Sequence, residues 1–149
     1  MAVSVREAKP GEEGVLLGLY EGLFAPPGSL PPGWDRDRAE PRLAEAIGKS
    51  DAAVLVAEEE GEPIGLCTAY IDLESVRFGR RCWVEDLVIS DGHRSRGAGG
   101  ALLDAASDWA RERGATHLEL DTALNRTDAQ RFYERREPAW TSYCYAWRL

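Results

Sequence analysis

The chain has 149 residues and a formal net charge of -8 at pH 7, because 26 acidic residues outnumber 18 Lys and Arg residues. This length suits one domain with a buried core. The acidic balance disfavours a nucleic-acid partner, since binding to a phosphate backbone needs a basic surface. Amine-bearing small molecules or basic peptides suit the charge better.

The first ten residues, MAVSVREAKP, lack the basic and apolar regions of a secretory signal, and no apolar run is long enough for a membrane span. We therefore expect a cytoplasmic protein that does not bind membranes. Cys67, Cys82 and Cys144 form no CxxC pair. The sequence therefore indicates reduced, half-buried thiols and neither a disulfide framework nor a metal site.

In chain order, SVREAK alternates as a strand, and PGEEGVLLGLYEGLF predicts a helix that starts at Pro10. Residues 25–34 contain four prolines and two glycines, which predict a loop. A second helix is predicted over residues 35–49. Residues 52–73 then predict two strands joined by a turn at Gly61, and RRCWVEDLVIS predicts a further strand.

Apolar residues at spacings of three and four predict a helix over residues 97–113, which Gly114 ends. THLELDT alternates as a strand, and a right-handed crossover places it parallel to the strand before the helix. A helix over residues 127–136 and a last strand in WTSYCYAWRL complete the chain. This order predicts a single α/β domain, residues 1–149, built on one mixed sheet.

The stretch HRSRGAGG places Gly97, Gly99 and Gly100 in one helical turn, where each glycine costs about 1 kcal/mol relative to alanine. The first turn of a helix has free backbone N–H groups and the positive end of the dipole, so it favours an anion such as phosphate. Arg94 and Arg96 could add charge-assisted contacts. The stretch is neither a P-loop nor GxGxxG, and a merely structural turn stays an alternative.

RSRGAG, residues 94–99, resembles the R/Q-x-x-G-x-G/A signature of the GNAT superfamily of acyl-CoA-dependent N-acetyltransferases. VEDLVIS resembles the strand before that signature, and NRTDAQRFYERR resembles a later motif of Asn and then a helix with Phe-Tyr. The resemblance implies a mostly antiparallel sheet of about six to seven strands with helices on both faces. Its strands 4 and 5 would be parallel and would splay apart.

The resemblance further implies acetyl-CoA as cosubstrate and no metal. Its pyrophosphate would be bound by Arg94 and by the backbone amides of Arg96, Gly97, Ala98, Gly99 and Gly100. The pantetheine arm would pair with backbone groups of Leu87, Val88 and Ile89, and Asn125 would hydrogen-bond to it. A cap on the helix that begins near residue 126 or 127 is the alternative role for Asn125.

Acetyl transfer needs a neutral amine, so a base is required. Glu85 matches the family's base, with substrate binding or a structural ion pair as alternatives. Asp86 is the reserve candidate, and strand alternation predicts that it points to the opposite face. Tyr133 matches the family's acid, which protonates the leaving thiolate, whereas packing is the alternative for Tyr133 and the preferred role of Phe132.

The acceptor pocket is predicted beside the proline loop, where Phe24 and Trp34 could form an aromatic wall for a cation. A simple anchor role for Trp34 stays equally open. The nearby acidic residues fit a polyamine-like acceptor; they are Glu21, Asp72, Glu74, Glu85 and Asp86. His93, His117 and the cysteines receive no catalytic role, so direct transfer is favoured over an acyl-enzyme.

One departure from the family pattern is Glu137-Pro138, which replaces the usual Gly-Phe. Glutamate in a left-handed conformation costs about 1 kcal/mol, so the helix is expected to end differently, with Trp140 in the core.

The leading hypothesis is an N-acetyltransferase that acetylates a primary amine of a small molecule or peptide. The alternatives are a non-catalytic acyl-CoA-binding or regulatory module and, less favoured, an unrelated nucleotide-binding domain. A homodimer is left open.

Overall fold

The computed structural model describes residues 2–149. Their helices and strands follow in the order β1 (Ser4–Glu7), α1 (Glu13–Phe24), α2 (Arg36–Gly48), β2 (Ala52–Glu59), β3 (Glu62–Ser75), β4 (Gly79–Ile89), α3 (Ala98–Glu112), β5 (His117–Glu119) and α4 (Thr127–Arg135). The first helix begins at Glu13 and not at Pro10. The other predicted helices agree with the structure to within one residue at each end.

One sheet holds the strands in the order β1-β2-β3-β4-β5. Neighbouring strands are antiparallel except β4 and β5, which run parallel from Arg81 opposite His117 to Trp83 opposite Glu119. Beyond that point β4 continues to Ile89 while β5 ends. The predicted parallel pair is therefore confirmed, and the two strands separate after three residue pairs.

Helices cover both faces of the sheet, as predicted. On one face α3 packs Leu102, Ala106 and Trp109 against Cys67 and Val84. We call this cluster the α3 core. On the other face α1 and α2 pack against the sheet in a second cluster, the α1–α2 core, which contains Leu16, Leu17, Leu43, Val56 and Val88.

The predicted count of six to seven strands is wrong, because the sheet has five strands within residues 2–149. Residues 140–149 alternate like a strand but adopt no regular secondary structure, and Tyr143, Tyr145 and Trp147 are exposed. Strand propensity describes how well side chains fit a paired, half-buried surface, and no neighbouring strand pairs with this segment. We call residues 140–149 the tail.

The end of α4 also differs from the expectation. Glu137 does adopt the left-handed conformation, with φ of 53°, so the chain accepts the strain that glycine would avoid. Trp140 does not enter the core: it is 47% exposed, and its ring stacks on Phe78 with a centroid separation of 5.2 Å.

The cysteines are less uniform than predicted, since Cys67 and Cys82 are buried and Cys144 is exposed. Between residues 2 and 149, every helix is too short or too polar to cross a membrane. The cytoplasmic location stays a prediction.

Candidate active site

The glycine-rich segment forms a loop between β4 and α3. Gly97 is the N-cap of α3 and has φ of 86°, a left-handed conformation that L-residues other than glycine rarely adopt. The amide of Ala101 donates to the carbonyl of Gly97 at 3.0 Å, which is the first bond of the helical ladder. The amides of Ala98, Gly99 and Gly100 precede that bond, so they are free to donate to an anion.

Both arginines of the loop are exposed and lie beside acidic groups. Arg94 is 3.3 Å from the carboxylate of Asp91, and its Nε contacts the carbonyl of Ile89 at 3.4 Å. Arg96 donates to the carboxylate of Glu59 at 3.2 Å. The structure therefore places both guanidinium groups at the loop, where the sequence put them, and gives Arg96 a protein partner that the sequence did not predict.

The gap between β4 and β5 exposes one edge of β4. The amide of Ser90 donates to the carbonyl of Ile64 in β3 at 2.8 Å. Because peptide groups alternate sides in an antiparallel pair, those of Val88 also face β3, whereas those of Leu87 and Ile89 face the gap. The exposed edge therefore offers the backbone groups of Leu87 and Ile89, whereas the expected contribution of Val88 is wrong because its peptide groups face β3.

Asn125 lies just before α4, and its Nδ2 donates to the carbonyl of Pro27 at 2.9 Å. This bond joins the start of the proline loop to the segment that leads into α4. The capping alternative is not seen, because Arg126 occupies the N-cap of α4 and makes no side-chain capping bond. A contact between Asn125 and pantetheine stays a prediction.

The prediction that Glu85 and Asp86 point to opposite faces is wrong. Thr68 pairs with Asp86 while Ala69 pairs with Val84, so Glu85 is the extra residue of a β-bulge in β4. A bulge interrupts strand alternation. Both carboxylates consequently line one cleft on the face that α1 and α2 cover.

That cleft has a volume of about 420 Å³ and lies among α1, the proline loop, α2 and the sheet. Tyr20, Phe24 and Trp34 form its aromatic side. Trp34 stacks on Tyr20 at a centroid separation of 5.9 Å and meets the edge of Phe24 at 4.7 Å. The structure thus brings the predicted substrate residues Phe24, Trp34 and Asp86 together, and we call this site the acceptor cleft.

Within the acceptor cleft the two carboxylates have different partners. Asp86 Oδ2 accepts hydrogen bonds from the Tyr20 hydroxyl at 2.7 Å and from the Thr68 hydroxyl at 2.8 Å. Burial, reinforced by the negative charge of Asp86, raises the pKa of Tyr20, so its proton stays on the phenol. Glu85 is exposed and accepts from the indole N–H of Trp83 at 2.6 Å.

Tyr20 and Thr68 were missed by the sequence reasoning. A signal existed for Tyr20, because Leu16, Tyr20 and Phe24 recur at a spacing of four on one helical face. Thr68 gave no such signal, since threonine is common in strands. Of the other acidic residues assigned to the pocket, Asp72 and Glu74 pair instead with Arg81 and Arg80, and Glu21 does not line the cleft.

Tyr133 lies on α4 and packs, together with Phe132, against the α3 core. The two rings meet edge to face with centroids 5.2 Å apart. Burial raises the pKa of Tyr133 to about 12, so the phenol is protonated at neutral pH. Tyr133 and the acceptor cleft therefore lie on opposite faces of the sheet.

The two buried thiols, Cys67 and Cys82, are held in their protonated form. Burial raises the pKa of Cys67 to about 12 and that of Cys82 to about 11, so neither is a thiolate near pH 7. Within residues 2–149, no group of three or more His, Cys, Asp and Glu side chains is placed to hold a metal ion.

Known protein sequences resemble this chain over most of its length. The profile of the family described as "Acetyltransferase (GNAT) family" matches residues 18–137. Uncharacterized N-acetyltransferase YhfO of Bacillus subtilis (strain 168) is 34% identical over 114 residues, which cover 74% of this chain and 76% of that protein. Streptothricin acetyltransferase of Streptomyces lavendulae is 40% identical over 58 residues, or 39% of this chain and 31% of that enzyme.

Solved structures share the architecture at lower identity. AAC(6')-Iy, in complex with the bisubstrate analogue CoA-S-monomethyl-acetylneamine, has a TM-score of 0.83 at 20% identity, with coverage of 100% of this chain and 99% of that chain. Glucosamine-6-phosphate N-acetyltransferase from Arabidopsis thaliana has a TM-score of 0.76 at 18% identity, with coverage of 99% of each chain. At these identities the likeness establishes a common fold.

Proposed function

The chain belongs to the GNAT family of acetyltransferases, which use acetyl-CoA as the acyl donor, and within that family we propose that it acetylates a primary amine of a cationic small molecule by direct transfer. The acceptor cleft carries this proposal. It combines two adjacent carboxylates, Glu85 and Asp86, with four aromatic rings, those of Tyr20, Phe24, Trp34 and Tyr70, in a volume of about 420 Å³. Carboxylates and aromatic faces both attract cations.

Asp86 suits the binding of the acceptor as an ammonium ion. Tyr20 and Thr68 both donate to Asp86 Oδ2 and so fix the carboxylate at the floor of the cleft. A positioned carboxylate that is partly removed from water attracts a cation more strongly than an exposed one. Aromatic residues beside it favour an acceptor with an apolar or multiply charged body over a simple ammonium ion.

Glu85 suits the removal of the proton. An alkylamine with a pKa of about 10.4 is mostly protonated at neutral pH and has no free lone pair. The Glu85 carboxylate lies in the same cleft as Asp86 but is more exposed, so a proton that it accepts can pass on to solvent. The neutral nitrogen can then attack the thioester carbonyl.

The donor is proposed to lie along the gap between β4 and β5. Its pyrophosphate would rest on the amides of Ala98, Gly99 and Gly100, and its pantetheine arm on the edge formed by Leu87 and Ile89. Because Glu85 and Tyr133 lie on opposite faces of the sheet, they can serve one reaction when the thioester occupies this gap. Ligands of open α/β sheets bind at such diverging strand ends.

The nitrogen loses two protons. The first leaves the ammonium ion through Glu85 to solvent before attack, and the second goes to Glu85 once the nitrogen has formed its bond to the carbonyl carbon. The bond from carbon to sulfur breaks, the Tyr133 hydroxyl gives its proton to the leaving sulfur, and the phenolate then takes a proton from solvent. Since burial keeps Tyr133 protonated, the donor is present across the neutral range.

The experiment is an assay of thiol release from acetyl-CoA with a panel of acceptors. The panel contains linear polyamines, amino sugars with several amines, amino acids, a lysine peptide and the uncharged alcohol analogue of each amine where one exists. The similarity to streptothricin acetyltransferase justifies adding amine-bearing antibiotics. We expect turnover with multiply charged amines and none with alcohols.

Two results would count against the proposal. Turnover that favours uncharged or anionic acceptors would exclude the cation-binding role of the acceptor cleft. Stabilisation by coenzyme A without thiol release for any acceptor would favour a non-catalytic module.

The proposal extends to assembly. The tail presents large exposed side chains at alternate positions, Tyr143, Tyr145, Trp147 and Leu149. Exposed apolar rows of this kind mark interaction sites. We propose that a second copy of the chain packs on this row of side chains and forms a dimer.

A further inference from the structure

Glu59, at the end of β2, is a buried charge beside the loop that precedes α3. Glu59 is 8% exposed, and no other charged residue among residues 2–149 is buried. Burying a carboxylate is costly unless it is paired and hydrogen-bonded. The position of Glu59 therefore needs a partner, and the loop supplies it.

The polar contacts of the Glu59 side chain lead into this loop. Its Oε2 accepts a hydrogen bond from Arg96 at 3.2 Å and lies 3.9 Å from Nε2 of His93. His93 is itself held by a hydrogen bond between its Nδ1 and the Ser90 hydroxyl, at 3.0 Å. One buried oxygen thus contacts the loop at two points, three residues apart.

The residues on either side of Arg96 both have left-handed backbones, and at Ser95 this conformation is strained. Ser95 has φ of 64° and Gly97 has φ of 86°. Serine is disfavoured in the left-handed region because it carries a Cβ. Such conformations persist where the surroundings hold them in place, and the anchored side chain of Arg96 lies between these two residues.

We propose that Glu59 is a positioning residue for acetyl-CoA: it holds Arg96, and through Arg96 it keeps the loop amides directed at the pyrophosphate before the donor arrives. This rests on the proposed function, in which that loop binds the pyrophosphate. A loop fixed in its binding conformation loses less conformational freedom on binding, which raises affinity. If Glu59 instead competed with the pyrophosphate for Arg96, it would lower the affinity for acetyl-CoA.

The test is Glu59→Gln, which keeps the side-chain shape and removes the charge. We expect the dissociation constant for coenzyme A and the KM for acetyl-CoA to rise about tenfold, with kcat at saturating donor unchanged. S-acetylpantetheine, which has no pyrophosphate, serves as a second donor, and its KM should not change. A general loss of structure would raise the KM of both donors.

Glu58→Gln is the matched control. Glu58 is the adjacent residue, and its ion pair with Arg6, at 3.0 Å, lies away from the loop. This variant should leave the KM values of both donors unchanged. In the Glu59→Gln background, Ser95→Gly removes the strain in the loop and should restore part of the affinity for coenzyme A.

Distinct outcomes overturn the inference. Tighter binding of coenzyme A by Glu59→Gln would show that Glu59 competes for Arg96. Equal rises in KM for both donors would show a merely structural role. If Glu59→Gln does not fold, Ser95→Gly alone should leave the affinity of the otherwise unchanged protein within about twofold, and a large loss there would overturn the inference. Wild-type protein that uses both donors equally well would instead refute the proposed pyrophosphate site.

Discussion

At the bulge in β4, two neighbouring carboxylates share one cleft and meet different surroundings. Asp86 is held by two hydroxyl groups, whereas Glu85 has one indole partner and more solvent. A fixed carboxylate favours the binding of a charged group, and an accessible one favours proton exchange. The extra residue of the bulge makes this division possible, because a regular strand would turn one of the two away.

The division predicts separate kinetic effects. Glu85→Gln should lower kcat about a hundredfold, because the amine would lose its base. Asp86→Asn should raise the KM for the amine about tenfold and change kcat less, because it removes a charge that holds the substrate. Steady-state kinetics with the best acceptor of the panel measure both effects. An unchanged kcat in Glu85→Gln would assign Glu85 to binding alone.

A second prediction concerns Tyr133. Tyr133→Phe should lower kcat about tenfold or more and leave the affinity for acetyl-CoA unchanged, because it removes the proton donor and keeps the ring. Since the pKa of Tyr133 is raised to about 12, the donor stays protonated up to about pH 10, and the ratio of wild-type to variant kcat should be constant between pH 7 and pH 10. The control is Tyr143→Phe at an exposed position, and an unchanged kcat in Tyr133→Phe would exclude the acid role.

Among the elements, α3 and its loop position the donor site, and both ends of α3 depend on a left-handed glycine. Gly97 has φ of 86° and Gly114 has φ of 77°, and an added Cβ would meet no atom within 4 Å at either position. A substitution at either site therefore tests backbone strain without a steric clash.

Alanine at each position should lower the free energy of unfolding by about 1 kcal/mol, because both residues would be held in a disfavoured conformation. Gly97→Ala should also weaken coenzyme A binding, since it disturbs the amides that face the pyrophosphate, whereas Gly114→Ala should not. Denaturant unfolding and calorimetric titration give the two quantities. Equal affinity loss in both variants would place the pyrophosphate elsewhere.

The sequence predicted the regular elements better than their irregular features. The limits of α3 could be predicted because apolar spacing and flanking glycines mark them locally. The bulge at Glu85 could not, because it depends on register with β3, and no residue in VEDLVIS signals an extra position. Glu59 stands in the acidic run EEEGE, which reads as a solvated turn, and its burial follows from the position of the loop.

On the scale of the whole molecule, the sheet separates two tasks. The acceptor cleft lies on the face with the α1–α2 core, and Tyr133 lies on the face with the α3 core. The two sides meet where β5 ends and β4 continues. Because β5 is short, it leaves a gap beside β4. In this gap Glu85 from one face of the sheet and Tyr133 from the other can act on one thioester.

The short fifth strand also leaves the tail without a paired neighbour, and this predicts self-association. Tyr143, Tyr145 and Trp147 are each at least 75% exposed, and water contact of such a row is unfavourable. We expect the full chain to be a dimer at micromolar concentration. A chain shortened after Ser142, which keeps Trp140 on Phe78, and a full-length variant with serine at these three positions should both be monomers.

Size-exclusion chromatography with light scattering measures the mass of each form. Because these side chains contact mainly solvent, the shortened and substituted chains should still unfold in one thermal transition and should bind coenzyme A with unchanged affinity. These two measurements separate loss of assembly from loss of folding. Serine at Val15 and Leu30, which are 63% and 60% exposed elsewhere on the surface, gives the matched control and should leave the dimer intact. A full-length chain that is monomeric, or a dimer that survives removal of residues 143–149, would contradict the prediction and assign the aromatic row to a different partner.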